Sequence, residues 1–306
     1  MAEQYAYLRG EFVPSDQATI NIRTHGFLYG TAVFEGIKAY LLNDPEQMGV
    51  FRMTEHYKRL LQSCKILRLQ SPLSAAEMGE LTVELIRRNQ CKGQTYIRPI
   101  VYKADLRIGP ILTVENTHDD FCLFTVPMEG YLDTTKGIHV GVSSWRRLDD
   151  NAIPARAKVN GAYVNTALAK TDGHMAGFDD VIVLTNDGHV AEGSAMNLFL
   201  LRDDRLITSS ITDNILEGIT RSTIIQLAQN ELGLSTVSRQ IDRTELYVAD
   251  EAFFVGTATE VAPIIKIDHR PVGDGVIGEV TKKLQDLFSK VIHGHLPKYE
   301  HWLTRV

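Results

Sequence analysis

Apolar and polar positions along this chain follow two periods, and the changes between them mark the elements. Tyr5 to Val13 alternates in the two-residue rhythm of a strand and reads as a hairpin turning at Arg9-Gly10, where glycine supplies the turn geometry. Val33 to Leu42 reads as a strand closed by a turn at Asn43-Asp44-Pro45, and Val50 to Arg52 as a short strand. Thr54 is placed to N-cap a helix over Glu55 to Leu67, on which Leu60, Leu61 and Cys64 fall at helical spacing. Ser74-Ala-Ala-Glu77 is a capping box opening a second helix, with Met78, Leu81, Leu85 and Ile86 as its apolar stripe. Thr95 to Tyr102 alternates as a strand. These elements predict a small N-terminal α/β domain over residues 1–127. A linker follows at 128–137, where two glycines and polar residues interrupt the pattern.

Residues 138–306 predict a larger, strand-rich domain with peripheral helices. The strands are Ile138 to Ser144, Val181 to Thr185, Asn197 to Arg202, Leu206 to Thr208 and Ala252 to Val255. Asn186-Asp-Gly188 and Asp203-Asp204 mark tight turns between some of them. Helices are expected over Ala162 to Met175, Arg221 to Leu232 with Gly233 as its stop, and Ile277 to Val291. The fold class is α+β in two domains, without an internal repeat.

Composition narrows the function classes. The 306 residues are 44% apolar and 23% charged, which suits a globular protein with a sizeable core. A net charge of −6 without a local Lys/Arg cluster argues against nucleic acid as a partner. Met1-Ala-Glu-Gln-Tyr5 lacks the basic and apolar regions of a secretory signal, and no apolar run is long enough for a membrane span. Cys64, Cys91 and Cys122 are odd in number and scattered, as in a reduced, cytoplasmic protein. The ten histidines show no ligand-like spacing, so no metal is expected.

Candidate chemistry centres on Lys158. A lysine among small residues is ordinarily a surface group. Here Ala155 and Ala157 leave room for a flat ligand, and Asn160-Gly161 suits a close backbone turn. Partly buried, a lysine amine becomes a nucleophile and a base. Glu192 is either a strand-edge acid facing water or a carboxylate for a pyridine nitrogen, and Gly193 and Ser194 leave room for a ring. Thr220, within Gly218-Ile219-Thr220-Arg221, reads as an N-cap, and that helix start is equally a seat for a phosphate. The Thr257-Ala258-Thr259 turn adds hydroxyls and amides, and Arg59 a positive charge. Tyr96 and Arg98 share one face of their strand, while Tyr29 and Phe34 read by default as core residues. Lysine, acid and small-residue turns in this order are the parts of a pyridoxal 5'-phosphate site.

Tyr29-Gly-Thr-Ala-Val-Phe-Glu-Gly-Ile-Lys38, Tyr96-Ile-Arg-Pro99, Lys158-x-Asn-Gly-x-Tyr163, Ala191-Glu-Gly-Ser194, Gly218-Ile-Thr-Arg221 and Gly256-Thr-Ala-Thr-Glu260 resemble the branched-chain amino-acid aminotransferases of the class IV, fold-type IV group. The resemblance runs over nearly the whole chain. It implies transfer of the amino group of leucine, isoleucine or valine to 2-oxoglutarate through pyridoxal 5'-phosphate. It also implies a two-domain subunit with the cofactor at the domain interface, and a homodimer or higher homo-oligomer. Lys158 would be the Schiff-base lysine, Glu192 the partner of the pyridine nitrogen and Tyr163 that of the 3′-oxygen. Arg59, Ile219, Thr220 and Thr257 would hold the phosphate. Tyr96, Thr257 and Ala258 would meet the substrate α-carboxylate, and Tyr29, Phe34 and Tyr131 would wall the side-chain pocket. Arg98 would take the distal carboxylate of glutamate.

Two positions depart from the family pattern. Ala195-Met196-Asn197 stands where relatives often carry Gly-Glu-Asn, and Arg107 where they commonly carry glycine. Arg107 is therefore a further candidate for contact with substrate. The departures leave open a transaminase preferring D-amino acids or (R)-amines. A non-catalytic pyridoxal-phosphate-binding protein is the alternative from another class.

Overall fold

The computed structural model describes residues 4–44, 46–113, 118–128 and 134–306. Pro45 and Tyr131 lie outside the described residues, as do positions 129–133 of the expected linker. The chain forms two compact units. Unit 1 takes Met1–Glu129, Ala157–Ala162 and Val291–Val306, and unit 2 takes Gly130–Arg156 and Tyr163–Lys290. The division is thus not a single cut near residue 130, because two later segments return to the first unit.

In unit 1 the strands are β1 (Tyr5–Leu8), β2 (Glu11–Pro14), β3 (Ala32–Phe34), β4 (Ile37–Leu41), β5 (Met48–Phe51), β6 (Thr95–Lys103) and β7 (Asp119–Pro127). The β1–β2 hairpin turns where expected, with Arg9 and Gly10 both at positive φ. The single strand expected over 33–42 is two strands, and both pair with β6. The break at Glu35-Gly36 falls beside Pro99 of β6, whose carbonyl accepts Glu35 N at 3.0 Å. Pro99 has no N–H to return, so the ladder cannot run on through it. Helix α1 (His25–Tyr29) is one short turn.

Helix α2 (Met53–Ile66) begins earlier than Thr54 would allow. Its N-cap is Arg52, at φ 48°, with no side-chain cap bond; Arg52 is instead fixed by donating its N–H to Trp302 O at 2.7 Å and pairing with Glu55 at 2.8 Å. Helix α3 (Ala75–Arg88) opens on the expected capping box, Ser74 and Glu77 bonding reciprocally. Its buried side is Met78, Gly79, Thr82, Leu85 and Ile86, with Leu81 only half-buried.

Unit 2 carries β8 (Ile138–Arg146), β9 (Asp180–Leu184), β10 (Val190–Gly193), β11 (Asn197–Arg202), β12 (Arg205–Thr208), β13 (Thr236–Ser238), β14 (Glu251–Gly256), β15 (Glu260–Ile267) and β16 (Arg270–Pro271). The sheet order is β10-β9-β8-β15-β14-β11-β12-β13, with β16 added beside β15. Ile182, Leu198, Phe254 and Ile264 belong to the core cluster on this sheet. Helices α4 (Tyr163–Met175), α5 (Ile219–Leu232) and α6 (Glu279–Ile292) accompany it. Gly233 ends α5 at φ 63°, as expected, but the helix starts two residues early with Gly218 as N-cap. Thr220 therefore lies inside the first turn and caps nothing.

A last strand, β17 (Leu303–Arg305), pairs antiparallel with β5 and completes the sheet of unit 1, in the order β17-β5-β4-β6-β7-β1-β2 with β3 also on β6. This pairing is why residues 291–306 leave the second unit. Residues 157–162 join the first unit through a bridge between Val33 and Val159.

Candidate active site

Lys158 is held by its backbone before its side chain is considered. Its N–H donates to Ser63 Oγ at 3.2 Å and its carbonyl accepts Phe34 N at 3.0 Å. Gly161 N donates to Gly30 O at 3.2 Å, and a Cβ on Gly30 would stand 2.8 Å from the Gly161 Cα. The close turn expected at Asn160-Gly161 is therefore a backbone-to-backbone approach that side chains would block. The half-buried Lys158 amine lies 5.0 Å from the centroid of the Phe34 ring.

A buried charge cluster lies on the same unit. Glu35, with no exposed surface, takes a two-pronged bond from Arg59, Nε to Oε1 and Nη2 to Oε2, each at 2.7 Å. His56 Nδ1 meets Oε2 at 2.8 Å. Burial alone would raise the Glu35 pKa, but Arg59 and His56 outweigh it and hold the carboxyl down at about 2. Burial pushes His56 below the usual imidazole value against the pull of Glu35, with Arg59 and Lys158 adding to the downward push. Arg59 is thus a buried, pre-oriented guanidinium rather than a surface arginine.

Tyr96 and Arg98 do share a face of β6, and Arg98 Nη2 donates to Tyr96 Oη at 2.8 Å. The Arg98 guanidinium also lies 4.3 Å from the Phe34 ring centroid. A Cβ on Gly36 would stand 2.3 Å from Tyr96 Oη, so a side chain there would displace the tyrosine ring. Phe34, Tyr96 and Arg98 are brought together as an apolar wall with a cation. Tyr29 and Arg107 form a different group. Tyr29 Oη accepts Gly109 N at 3.0 Å, and Arg107 pairs with Asp105 of its own loop at 2.6 Å. Arg107 hydrogen bonds hold the Asp105 carboxyl at about 2.

In unit 2, Glu192 is a buried acid on β10, not one facing water. Its Oε1 meets Arg147 Nη2 at 2.9 Å, and its Oε2 accepts Asn197 Nδ2 at 3.0 Å and Leu216 N at 3.2 Å. Packing also requires Gly193 to be small, since a Cβ there would lie 2.8 Å from the Phe254 ring. Ser194 Oγ is buried without a hydrogen-bond partner among the described residues. Tyr163 begins α4. Ile219 and Thr220 form the first turn of α5, and a Cβ on Gly218 would fall 2.0 Å from Asn197 Oδ1. Arg221 is bound inward, to Thr208 Oγ1, Ser209 O and Ser238 Oγ. Thr257 and Ala258 occupy the β14–β15 turn, half-buried, and Thr259 donates to Met196 Sδ at 3.0 Å. Met196 is thus a packing partner of this turn.

Sequence reasoning missed Glu35, Arg147 and Asn197. Glu35 left a trace, as a lone acid inside an apolar run, with His56 and Arg59 three apart on one helix. Arg147 left none, because it meets Glu192 only through the sheet. The residue types fit pyridoxal 5'-phosphate: a buried oriented cation and a helix start for the phosphate, a hydrogen-bonded carboxylate for the ring nitrogen, and an amine. Ser194 Oγ, buried without a partner among the described residues, leaves a polar atom that a ligand can bond.

Comparison with known proteins agrees with this chemistry. The family model described as amino-transferase class IV matches residues 32–267. A probable branched-chain-amino-acid aminotransferase of Aquifex aeolicus is 45% identical over 302 residues, covering 99% of this chain and 96% of the relative. The crystal structure of the branched-chain aminotransferase from Thermoproteus uzoniensis with norvaline superposes with a TM-score of 0.94 at 38% identity, covering 99% of each chain. The branched-chain amino acid aminotransferase from Thermobaculum terrenum, in its PLP-bound holo-form, gives a TM-score of 0.93 at 34% identity, covering 99% of this chain and 98% of that one.

Proposed function

Because the chain belongs to the class IV aminotransferase family, we propose that it is a pyridoxal-phosphate-dependent branched-chain amino-acid aminotransferase, moving the amino group of leucine, isoleucine or valine to 2-oxoglutarate. One observation carries the substrate assignment. Arg98 lies over the apolar Phe34 ring and is bonded to Tyr96, so one wall offers both apolar contact and a cation. Leucine needs the first and 2-oxoglutarate the second.

Bound pyridoxal 5'-phosphate would supply the electron sink for the Cα–H bond of the amino acid. Lys158 would hold the cofactor and then take the Cα proton on its Nζ. Glu192 would keep a proton on the ring nitrogen, and Tyr163 would bond the 3′-oxygen. Arg59, Ile219, Thr220 and Thr257 would bind the phosphate, whose charge suits a guanidinium and a helix start. Tyr96 with Thr257 and Ala258 would orient the α-carboxylate, and Phe34, Tyr29 and Tyr131 would enclose the side chain. Arg107, paired with Asp105 through Nε and Nη2 and exposed, would act on substrate from its loop.

The protein would work in the cytoplasm as a homodimer. Its three cysteines are free thiols, as a reducing compartment keeps them. Ile22, Phe27, Ile108 and Ile111 are 61–79% exposed on two segments tied by His25 N to Asp105 O and His25 Nε2 to Gly109 O. A second copy is the natural cover for such a patch.

Initial rates with L-leucine, D-alanine and (R)-1-phenylethylamine as donors test the assignment. Leucine should be much the best, and a preference for either rival, or no half-reaction at all, would overturn it. In Arg98→Leu the 2-oxoglutarate half-reaction should fall roughly ten- to a hundredfold, the worth of one charge-assisted hydrogen bond, with the leucine half-reaction spared. Selective loss in Arg107→Gly instead would move the distal carboxylate to Arg107.

A further inference from the structure

The Glu192 carboxylate meets Asn197, Leu216 and Arg147, which are donors of unequal kind. Asn197 Nδ2 and Leu216 N are neutral donors to Oε2, whereas Arg147 brings a full charge to Oε1 at 2.9 Å. Arg147 is itself held in place. Its backbone N–H donates to Leu184 O at 2.8 Å and its Nε to Asn214 O at 2.9 Å. Asn214 is fixed in turn, at φ 58°, with its amide on Asp149 Oδ1 at 2.9 Å and its own Oδ1 accepting Asp150 N at 3.3 Å. Arg221, a further cation of unit 2, directs its guanidinium to Thr208, Ser209 and Ser238.

We propose that Arg147 is a positioning residue for transamination: its guanidinium keeps Glu192 ionised, and thereby keeps the shared proton on the ring nitrogen of bound pyridoxal 5'-phosphate. The inference rests on the assignment of Glu192 to that nitrogen. The proton has two resting places. On nitrogen it leaves Glu192 charged; on Glu192 it leaves both groups neutral. Glu192 is only 4% exposed, and burial favours the neutral arrangement. Two neutral donors oppose that weakly. A guanidinium in contact opposes it strongly, because charges interact more in a medium of low polarizability than in water. An unprotonated ring nitrogen withdraws electrons poorly, so losing Arg147 slows proton removal from substrate without touching substrate.

The test uses holoenzyme loaded with pyridoxal 5'-phosphate carrying 15N at the ring nitrogen. In Arg147→Met the 15N resonance should move toward the unprotonated position, kcat should fall roughly ten- to a hundredfold and KM should change little. Arg147→Lys should restore most of both. Arg147→Gln, which keeps a donor and most of the stem but no charge, should behave as Arg147→Met and is decisive if that variant does not fold. Glu192→Gln is the control for the underlying assignment. If it leaves the resonance in place, Glu192 does not face the nitrogen and both readings fall. If it moves the resonance while Arg147→Met and Arg147→Gln do not, only the role of Arg147 is wrong.

Discussion

At the scale of residues, Glu35 shows how a single buried charge makes a pH dependence. Its carboxyl is held at about 2 in the folded protein against an ordinary value of 4.5. A depressed acid stabilises the fold fully above its unfolded value and loses that contribution as pH falls toward the folded one. The contribution is on the order of 3 kcal/mol, lost progressively between pH 4.5 and 2. His56, also depressed, steepens the same acid limb from the ordinary imidazole value of 6.5 downward. Urea unfolding from pH 7 to 3 should therefore show a flatter acid limb in Glu35→Gln than in the parent protein. Its stability at pH 7 should also be lower by about 3–5 kcal/mol, since Arg59 loses the charge that compensates it. Parallel limbs in the two proteins would rule out the cluster as the source. Lys158 and Glu192 stand out in the sequence as candidates because small residues flank both. The burial of Arg59 was not readable, since an arginine three positions after His56 on a helix is as often exposed. The carboxylate that explains its burial lies 24 positions away.

At the scale of elements, strands with turns at both ends and helices with strong stops were legible. The Ser74 box and Gly233 are local chemistry, and local chemistry survives in sequence. The helix starts at Met53 and Ile219 were missed because neither has a side-chain cap; one is fixed by Trp302, far along the chain. β7 and β15 were missed because sheet neighbours on both sides decide them, and β15 contains Pro263. The end of β6 and the start of β7 are joined by a buried ion pair, Lys103 Nζ to Asp119 Oδ1 at 2.6 Å, and Asp119 also accepts Gln70 N at 2.6 Å. Asp119→Ala should cost about 3–5 kcal/mol, because it strands a lysine with 1% exposure. The double variant Lys103→Met with Asp119→Leu should recover much of that loss. Chemical denaturation of the three proteins decides it: a double variant as unstable as Asp119→Ala would mean the cost lies in the Gln70 bond.

At the scale of the whole molecule, the apolar patch carrying Phe27 and Ile108 sets the next test. Phe27→Asp with Ile108→Asp tests the proposed homodimer: sedimentation equilibrium should give the mass of two chains for the parent and of one chain for the variant, and equal masses would overturn this patch as the contact. The return of residues 291–306 to the first unit is not legible in composition, because β17 is three residues long and lies against β5. That return orders events on the ribosome. Phe51 of β5 leaves the exit tunnel about 250 residues before Leu303, its eventual partner. At typical rates of synthesis the outer edge of β5 waits roughly ten to fifty seconds for its own strand. Throughout that interval a neighbouring nascent chain on the same message can offer a strand instead, so the unit begun first is the last to be safe from aggregation.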